Sequence, residues 1–90
     1  MTESVRPYGF EFPCSFPLKV IGLAGDDFEA FAVSIVRKYV SNVDPAAVTS
    51  RPSRGGKYLA VTVTFVAESR PQLDALYLEI SQTKRILMAL

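Results

Sequence analysis

A basic glycine turn followed directly by an alternating strand limits the possible folds more than any other part of the sequence. The turn reads Ser53-Arg54-Gly55-Gly56-Lys57-Tyr58, and the strand continues as Leu59-Ala60-Val61-Thr62-Val63-Thr64-Phe65. Glycine supplies the positive φ values of tight hairpin turns, and alternation of apolar and polar residues is typical of a strand with one buried face. The segment therefore predicts a β-hairpin. Because it lies between two helical patterns, it also sets the order of the elements.

The part of the chain before the hairpin predicts a lead-in, a strand and a helix. Pro7, Pro13 and Pro17 disfavour a helix near the start, so we expect residues 1–9 to be a flexible lead-in and residues 10–90 to form a single domain. The first strand is predicted over residues 16–23. Its Phe16, Leu18 and Val20 alternate with Lys19 and Ile21, so the two sets lie on opposite faces.

The first helix is expected to begin at Asp26, because Asp26 and Glu29 have the spacing of a capping box. Apolar residues then recur at the spacing of one helical face: Phe28, Phe31, Ala32, Ile35, Val36 and Tyr39. A second strand is predicted over residues 47–51. Pro52 cannot donate a hydrogen bond within a sheet, so this strand should lie at an edge.

The rest of the chain predicts a strand, a helix and a strand. The third strand is expected over residues 58–67, and Ser69 with Gln72 forms an S-x-x-Q capping box that begins a helix of about twelve residues. A last strand is predicted over residues 85–90. Alternation there separates Arg85, Leu87 and Ala89 from Ile86, Met88 and Leu90.

The order β-α-β-β-α-β predicts an α+β fold, the ferredoxin-like sandwich, with two helices on one face of a four-stranded antiparallel sheet. Right-handed crossovers give the strand order 4-1-3-2, which also places the second strand at an edge. The other sheet face should stay open. We expect it to be lined by Lys19, Ile21, Tyr58, Thr62, Thr64, Arg85 and Leu87.

Composition limits the class of protein but not its partner. Apolar residues make up 49% of the chain and the formal net charge is +1, as in an ordinary folded domain. No apolar run approaches the ~20 residues of a membrane span, and no signal peptide is expected at the start. One cysteine, Cys14, cannot form an internal disulfide. The expected location is therefore cytoplasmic, with no membrane contact.

Four groups of residues resemble the YbeD-like family of small bacterial proteins. They are Phe12-Pro13, Lys19-Val20-Ile21-Gly22, Arg51-Pro52-Ser53 with Gly56 and Tyr58, and Ile86-x-Met88-x-Leu90. The resemblance covers residues 10–90. It implies a ferredoxin-like fold similar to the regulatory ACT domains of amino-acid metabolism, and an association with lipoate regulation. Arg54 and Ala60 stand where the family more often has serine.

Catalysis is not expected, nor is any cofactor or metal. The chain has no histidine, which removes the commonest general base and the commonest metal ligand. Asp26, Asp27 and Glu29 lie at a helix start, where carboxylates are favoured by the helix dipole, and Cys14 is expected to be structural. An acylphosphatase of this fold needs an arginine in the loop after strand one, and that loop reads Gly22-Leu23-Ala24-Gly25.

The basic turn leaves two interpretations open. Arg51, Arg54 and Lys57, with Lys84 and Arg85 at the same end of the sheet, could bind an anion or a nucleic-acid backbone. Alternatively, the glycines make the turn and the charges keep an edge strand soluble. Nucleic acid is the less favoured partner, because Tyr58 is the only aromatic residue that the first and third strands offer for base stacking on the open face.

These patterns predict a small non-catalytic regulatory or protein-interaction module. A protein partner or a second copy would bind the open sheet face, and an ACT-like small-molecule ligand would bind near the turn at residues 22–25. The alternative is nucleic-acid or anion binding by the basic hairpin. The candidate binding residues are Lys19, Gly22, Gly25, Arg51, Ser53, Arg54, Gly56, Lys57, Tyr58 and Arg85.

Overall fold

The fold is an antiparallel four-stranded sheet with two helices on one face, seen in a computed structural model that describes residues 11–41 and 43–90. The predicted flexible lead-in, residues 1–9, lies outside the described residues. The elements in chain order are β1 (Cys14–Leu23), α1 (Phe28–Arg37), β2 (Val48–Pro52), β3 (Tyr58–Ala67), α2 (Arg70–Ser81) and β4 (Ile86–Ala89). Single 3₁₀ turns cover Pro45–Ala47 and Arg54–Gly56.

The strand order is β2-β3-β1-β4, which is the predicted order 4-1-3-2 counted from the other edge. All neighbouring strands are antiparallel. The α+β ferredoxin-like prediction is therefore confirmed, and β2 is an edge strand, as Pro52 requires. In β1, Leu18 and Val20 are buried and Lys19 between them is exposed, so the predicted alternation is also correct.

One continuous core lies between the sheet and the helices. Leu18, Val61, Val63 and Phe28 are each 0% exposed. The helices contribute Ala32, Ile35 and Val36 from α1, and Leu73, Leu76 and Ile80 from α2. Full burial of one such side chain contributes about 1.5–3 kcal/mol. Both helices bury one stripe each, which leaves the opposite face of the sheet without a covering helix.

The predicted capping box at the start of α1 is wrong. The helix begins at Phe28, and Asp27 occupies the N-cap position without a side-chain capping bond. The Asp27 carboxylate instead accepts two hydrogen bonds from Arg85, and Glu29 accepts one from the Ser50 hydroxyl at 2.6 Å. A bidentate, charge-assisted bond to guanidinium is stronger than a bond from a neutral backbone N–H, and it determines where Asp27 points.

The capping residues of α2 are as predicted. The Ser69 hydroxyl accepts a hydrogen bond from the Gln72 backbone N–H at 3.2 Å. The Gln72 side-chain oxygen accepts from the Glu68 N–H at 2.7 Å, and its amide nitrogen donates to the Tyr39 carbonyl at 2.9 Å. Gln72 therefore both supports the start of α2 and ties it to the end of α1.

The predicted alternation in β4 is wrong because of a β-bulge. Ile21 pairs with Met88 and Gly22 pairs with Ile86, so Leu87 has no partner in β1. One extra residue reverses the faces of the residues that follow it. Met88 therefore shares a face with Ile21, on the open side of the sheet. Arg85 precedes the strand and lies beside α1, not on the open face as predicted.

Candidate docking face on the open side of the sheet

We use the name open face for the side chains on the sheet side opposite the helices. Strand register assigns them, because residues paired across antiparallel strands point the same way. Its members in the described residues are Ser15, Pro17, Lys19, Ile21, Leu23, Thr49, Arg51, Tyr58, Ala60, Thr62, Thr64, Val66, Met88 and Leu90.

Two rows of the open face cross all four strands. One row runs Thr49, Thr62, Lys19, Leu90, and the next runs Arg51, Ala60, Ile21, Met88. In the first row, Lys19 and Leu90 exchange two backbone hydrogen bonds, at 3.3 and 2.8 Å. The β2 side of the face is therefore threonine-rich and cationic, while the β4 side is apolar.

Exposed apolar side chains are concentrated on the open face. It holds Leu23, Val66, Met88 and Leu90, which are 56%, 54%, 53% and 61% exposed. The other large apolar side chains of the described chain that are exposed this far are Leu78 on α2 and the bulge residue Leu87. Single exposed apolar residues are ordinary, and the concentration of four of them on one face makes that face the candidate interaction surface.

The charge on the open face has one sign. Lys19 and Arg51 are its charged side chains, and none of its described positions is Asp or Glu. Both residues are exposed, and they lie in adjacent rows. A surface that complements this face would therefore combine apolar side chains with carboxylates.

The basic hairpin turn closes one end of the open face, and its polar groups largely satisfy one another. The Ser53 N–H donates to the Tyr58 carbonyl at 2.8 Å, the Ser53 hydroxyl accepts from the Tyr58 N–H at 3.0 Å, and the Ser53 carbonyl accepts from the Gly56 N–H at 2.8 Å. Gly55 and Gly56 have φ values of 85° and 78°. These positive values favour glycine whether or not a ligand binds.

The cations of the turn point outward. Arg54 and Lys57 are exposed, and the Lys57 ammonium lies 5.5 Å from the centre of the Tyr58 ring. Such a cation–π contact contributes about 0.5–1 kcal/mol at an exposed site. It extends the positive charge of the open face toward the end where Tyr58 pairs with Leu23.

Gly22 and Gly25, predicted to lie at a ligand site, have different surroundings. A Cβ on Gly22 would lie 2.6 Å from the Phe28 ring and would also collide with the Arg85 carbonyl, so Gly22 is required by packing. Gly25 is exposed, and its carbonyl accepts from the Phe28 N–H at 3.1 Å. The loop between them is tied to the hairpin, since the Ala24 N–H donates to the Lys57 carbonyl at 2.9 Å.

Arg85 joins the start of α1 to the start of β4. Its guanidinium donates to both Asp27 oxygens, at 2.8 and 3.2 Å, and lies 4.4 Å from the centre of the Phe31 ring. The hydrogen bond and the positive charge of Arg85 lower the pKa of Asp27 below its ordinary value. Arg85 therefore has a structural partner on the helix side of the sheet.

The structure brings some of the predicted site residues together and separates others. Lys19, Arg51 and Tyr58 share the open face, with Ser53, Arg54, Gly56 and Lys57 in the turn at its end. Gly22 and Arg85 lie on the helix side. Every second residue of a strand lies on the same face, and this rule alone would have added Leu23 and Val66 to the predicted open face. Met88 and Leu90 were missed because no residue type in β4 signals the bulge.

Among residues 11–41 and 43–90, no three Asp, Glu, Cys or His side chains come together in a way that could hold a metal ion. Within that same part of the chain, neither helix has the length and apolar character needed to cross a membrane.

The fold and the open face define a class of small α+β proteins whose sheet is covered by helices on one side only. Comparisons with known proteins identify the family. The chain belongs to the family described as "Protein of unknown function (DUF493)", whose model matches residues 8–90. The predicted resemblance to the YbeD-like family of small bacterial proteins is confirmed, because the curated relatives found are UPF0250 proteins.

Two relatives and one structure illustrate the similarity. A UPF0250 protein of Paraburkholderia phytofirmans is 46% identical over 75 residues, covering 83% of this chain and 84% of the relative. One of Ectopseudomonas mendocina is 37% identical over 92 residues and covers all of both chains. The solution structure of protein HP0495 from H. pylori matches with a TM-score of 0.73 at 16% identity, covering 100% of this chain and 96% of that one. At that identity the match shows the fold alone.

Proposed function

We propose that this protein is a small non-catalytic interaction module that binds an acidic, partly apolar protein surface on its open face. The observation that carries the proposal is the combination on one sheet face of exposed Leu23, Val66, Met88 and Leu90 with a charge of one sign. The exposed apolar side chains offer area that a partner could bury, and the two cations offer charge that carboxylates could complement. A regulatory role in a cytoplasmic setting belongs to the same proposal.

A partner with carboxylates is favoured over a second copy on this face. Stacking two open faces would bring Lys19 and Arg51 of one copy toward the same cations of the other, and like charges across an interface cost several kcal/mol. A partner that presents glutamate or aspartate would instead gain from both cations. Complementary charge across an interface chiefly raises the association rate and the selectivity.

The other two predicted functions have less support from the geometry. The space beside Gly22, where an ACT-like ligand was expected, is filled by the Phe28 ring and the Arg85 carbonyl. In the basic turn, the N–H groups of Ser53, Gly56 and Tyr58 are already bonded within the turn. Both functions are therefore kept as outcomes of the experiment that follows.

The experiment is a titration followed by amide chemical shifts. The probes are a short peptide in which glutamate alternates with leucine, a matched peptide in which lysine replaces glutamate, free amino acids, lipoate and a short RNA. We expect the acidic peptide to shift amides of residues 17–23 and 58–66, and the basic peptide to shift none. The double variant Lys19→Glu with Arg51→Glu should bind the acidic peptide about tenfold or more weakly, a loss of about 1.4 kcal/mol.

The control is Arg37→Glu, which reverses one exposed charge on the helix side and should leave peptide binding unchanged. Three results would overturn the proposal. Failure of the acidic peptide to bind would remove the acidic partner. Shifts confined to residues 22–29 with an amino acid or lipoate would indicate a metabolite sensor. Shifts along residues 51–64 with RNA alone would indicate nucleic-acid binding.

A further inference from the structure

We propose that the free edge of β4 pairs with β4 of a second copy, so that two chains form one continuous eight-stranded sheet. The contact uses the edge of the sheet, with Met88 and Leu90 beside the twofold axis, and leaves the rest of the open face accessible. It therefore goes beyond the proposed function, because a dimer of this kind would present two open faces side by side to a partner.

The backbone at the end of β4 is suited to this pairing. Lys19 and Leu90 exchange two hydrogen bonds, and the paired residues Val20 and Ala89 come next. In an antiparallel ladder, the backbone N–H and C=O groups of successive residues point alternately toward and away from the neighbouring strand. Because those of Leu90 point toward β1, the N–H and C=O of Ala89 point away from it. Two copies related by a twofold axis can then exchange both bonds between their Ala89 residues.

On the open face, the side chains next to the twofold axis between the two copies are apolar. Pairing of Ala89 with Ala89 of the second copy puts Met88 opposite Leu90 of that copy, and Leu90 opposite its Met88. Both residues are more than half exposed in the single chain. An isologous contact of this kind needs a patch that complements itself, and an apolar patch without charge does so.

The helix side of the edge also exposes apolar side chains, beside polar ones. A groove of about 290 Å³ lies between α2 and β4 and is lined by Tyr77, Ile80, Ser81 and β4 residues. Glu79 points toward α1, where it binds Lys38 and Tyr39. At 100° per residue, Leu78 is turned away from the side of α2 that faces α1. Leu78 and Leu87 are 59% and 56% exposed.

The two edges of the sheet differ in how they are protected. The β2 edge carries Arg51 and Pro52, a charge and a residue that cannot donate to a ladder. The side chains of residues 86–90 include neither a charge nor a proline, and the protective features of this edge are its length of four residues in β4 and the bulge at Leu87. Natural proteins usually block edges of this kind with charge, proline or a covering element. The contrast makes β4 the edge at which a second copy pairs.

Charge and size both bear on the strength of the dimer. On the α2 flank, Asp74 is paired with Arg70 at 3.0 Å, so two copies would not bring an unpaired Asp74 toward its own copy there.

The interface consists of a four-residue strand and one helix flank, which corresponds to the lower end of specific interfaces, about 1,200 Å² in total. We therefore expect a dissociation constant on the order of tens of micromolar.

Sedimentation over a range of concentrations tests this pairing directly. The weight-average mass should rise from 9.9 kDa toward twice that value as concentration increases. Ala89→Pro removes an N–H that faces the free edge and no bond to β1, so it should weaken association at least tenfold while the chain stays folded. Met88→Lys should do the same by placing two like charges near the axis.

The matched control is Val66→Lys. Val66 has nearly the exposure of Met88 but lies on β3, opposite Ser15 and away from β4, so this variant should dimerise like the wild type. Folding of each variant is checked from its amide spectrum; if Ala89→Pro does not fold, Met88→Lys decides. A wild type that stays monomeric to millimolar concentration would overturn the proposal. So would equal weakening by Val66→Lys and Met88→Lys, which would indicate stacking of open faces.

Discussion

Gly22 shows how a single residue links the sheet to the first helix. It is buried under the Phe28 ring and the Arg85 carbonyl, and its φ is not in the left-handed region. Glycine is therefore needed for the absence of a side chain and not for a special backbone conformation. The close approach it allows brings α1 and the start of β4 against the end of β1.

We predict that Gly22→Ala destabilises the fold and that Gly25→Ala does not. The added methyl group at Gly22 must displace an aromatic ring and a backbone carbonyl, which costs about 1–3 kcal/mol or more. At Gly25 the nearest atom is an Asp27 oxygen at 3.6 Å, and the variant should be neutral or stabilised by about 0.4–1 kcal/mol. Urea unfolding of the two variants measures both effects. Equal stability would show that Gly22 is not required by packing.

The sequence predicted the role of the turn glycines Gly55 and Gly56 better than the role of Gly22. Gly55 and Gly56 follow a recognisable turn pattern, and their positive φ values agree with it. Gly22 lies after a strand, where a glycine can end the strand, make room for a ligand or make room for a side chain. The choice depends on where Phe28 lies after folding, and that contact depends on the packing of α1 over the sheet.

Two charged clusters connect the elements of the helix layer. Glu79 of α2 binds Lys38 and accepts a hydrogen bond from the Tyr39 hydroxyl at 2.5 Å, which joins the ends of the two helices. The Lys38 and Tyr39 bonds lower the pKa of Glu79. At the opposite end of α1, the bond from Arg85 lowers the pKa of Asp27.

These two carboxylates predict an acid-dependent part of the stability. A folded pKa below the unfolded value means that the unfolded chain binds more protons, so stability is present above the ordinary values of 3.8 and 4.5 and is lost as pH falls through the lowered ones. The double variant Asp27→Asn with Glu79→Gln should be less stable at pH 7 and should lose less between pH 6 and pH 3. Unfolding midpoints across that range measure the difference.

The control for this prediction is Asp26→Asn, which removes a neighbouring carboxylate that Arg85 does not contact. Its stability should fall with acid as the wild type's does. A double variant with the full acid response of the wild type would contradict the assignment of these two carboxylates.

Element order and type followed from the sequence, while the start of α1 and the faces of the β4 residues did not. β3 and the capping of α2 agree with the prediction because their patterns are local: alternation in one case and Ser69 with Gln72 in the other. The start of α1 was placed early because the bond between Asp27 and Arg85 spans 58 positions of the chain. The bulge in β4 depends on pairing with β1, which local alternation does not contain.

At the scale of the whole molecule, the fold separates a helix side that holds the core from an open face that is apolar and cationic. The one-sided sheet followed from the sequence, as did Lys19, Ile21 and the three open-face residues named on β3. The apolar character of the β4 side did not, because the bulge moves Met88 and Leu90 onto the open face. That change adds exposed apolar side chains to a surface that was predicted to be mixed apolar and polar.

The central claim is that the open face is accessible and binds an acidic surface, and thiol labelling at Thr62 tests it most directly. In a Cys14→Ser background, Thr62→Cys places a thiol in the middle of the face, while Val61→Cys places one in the core, where Val61 is 0% exposed. We predict rapid labelling at position 62, slowed about tenfold or more by the saturating acidic peptide, with position 61 slow throughout. Slow labelling of the free chain at position 62, or a rate that the acidic peptide does not change, would contradict the account.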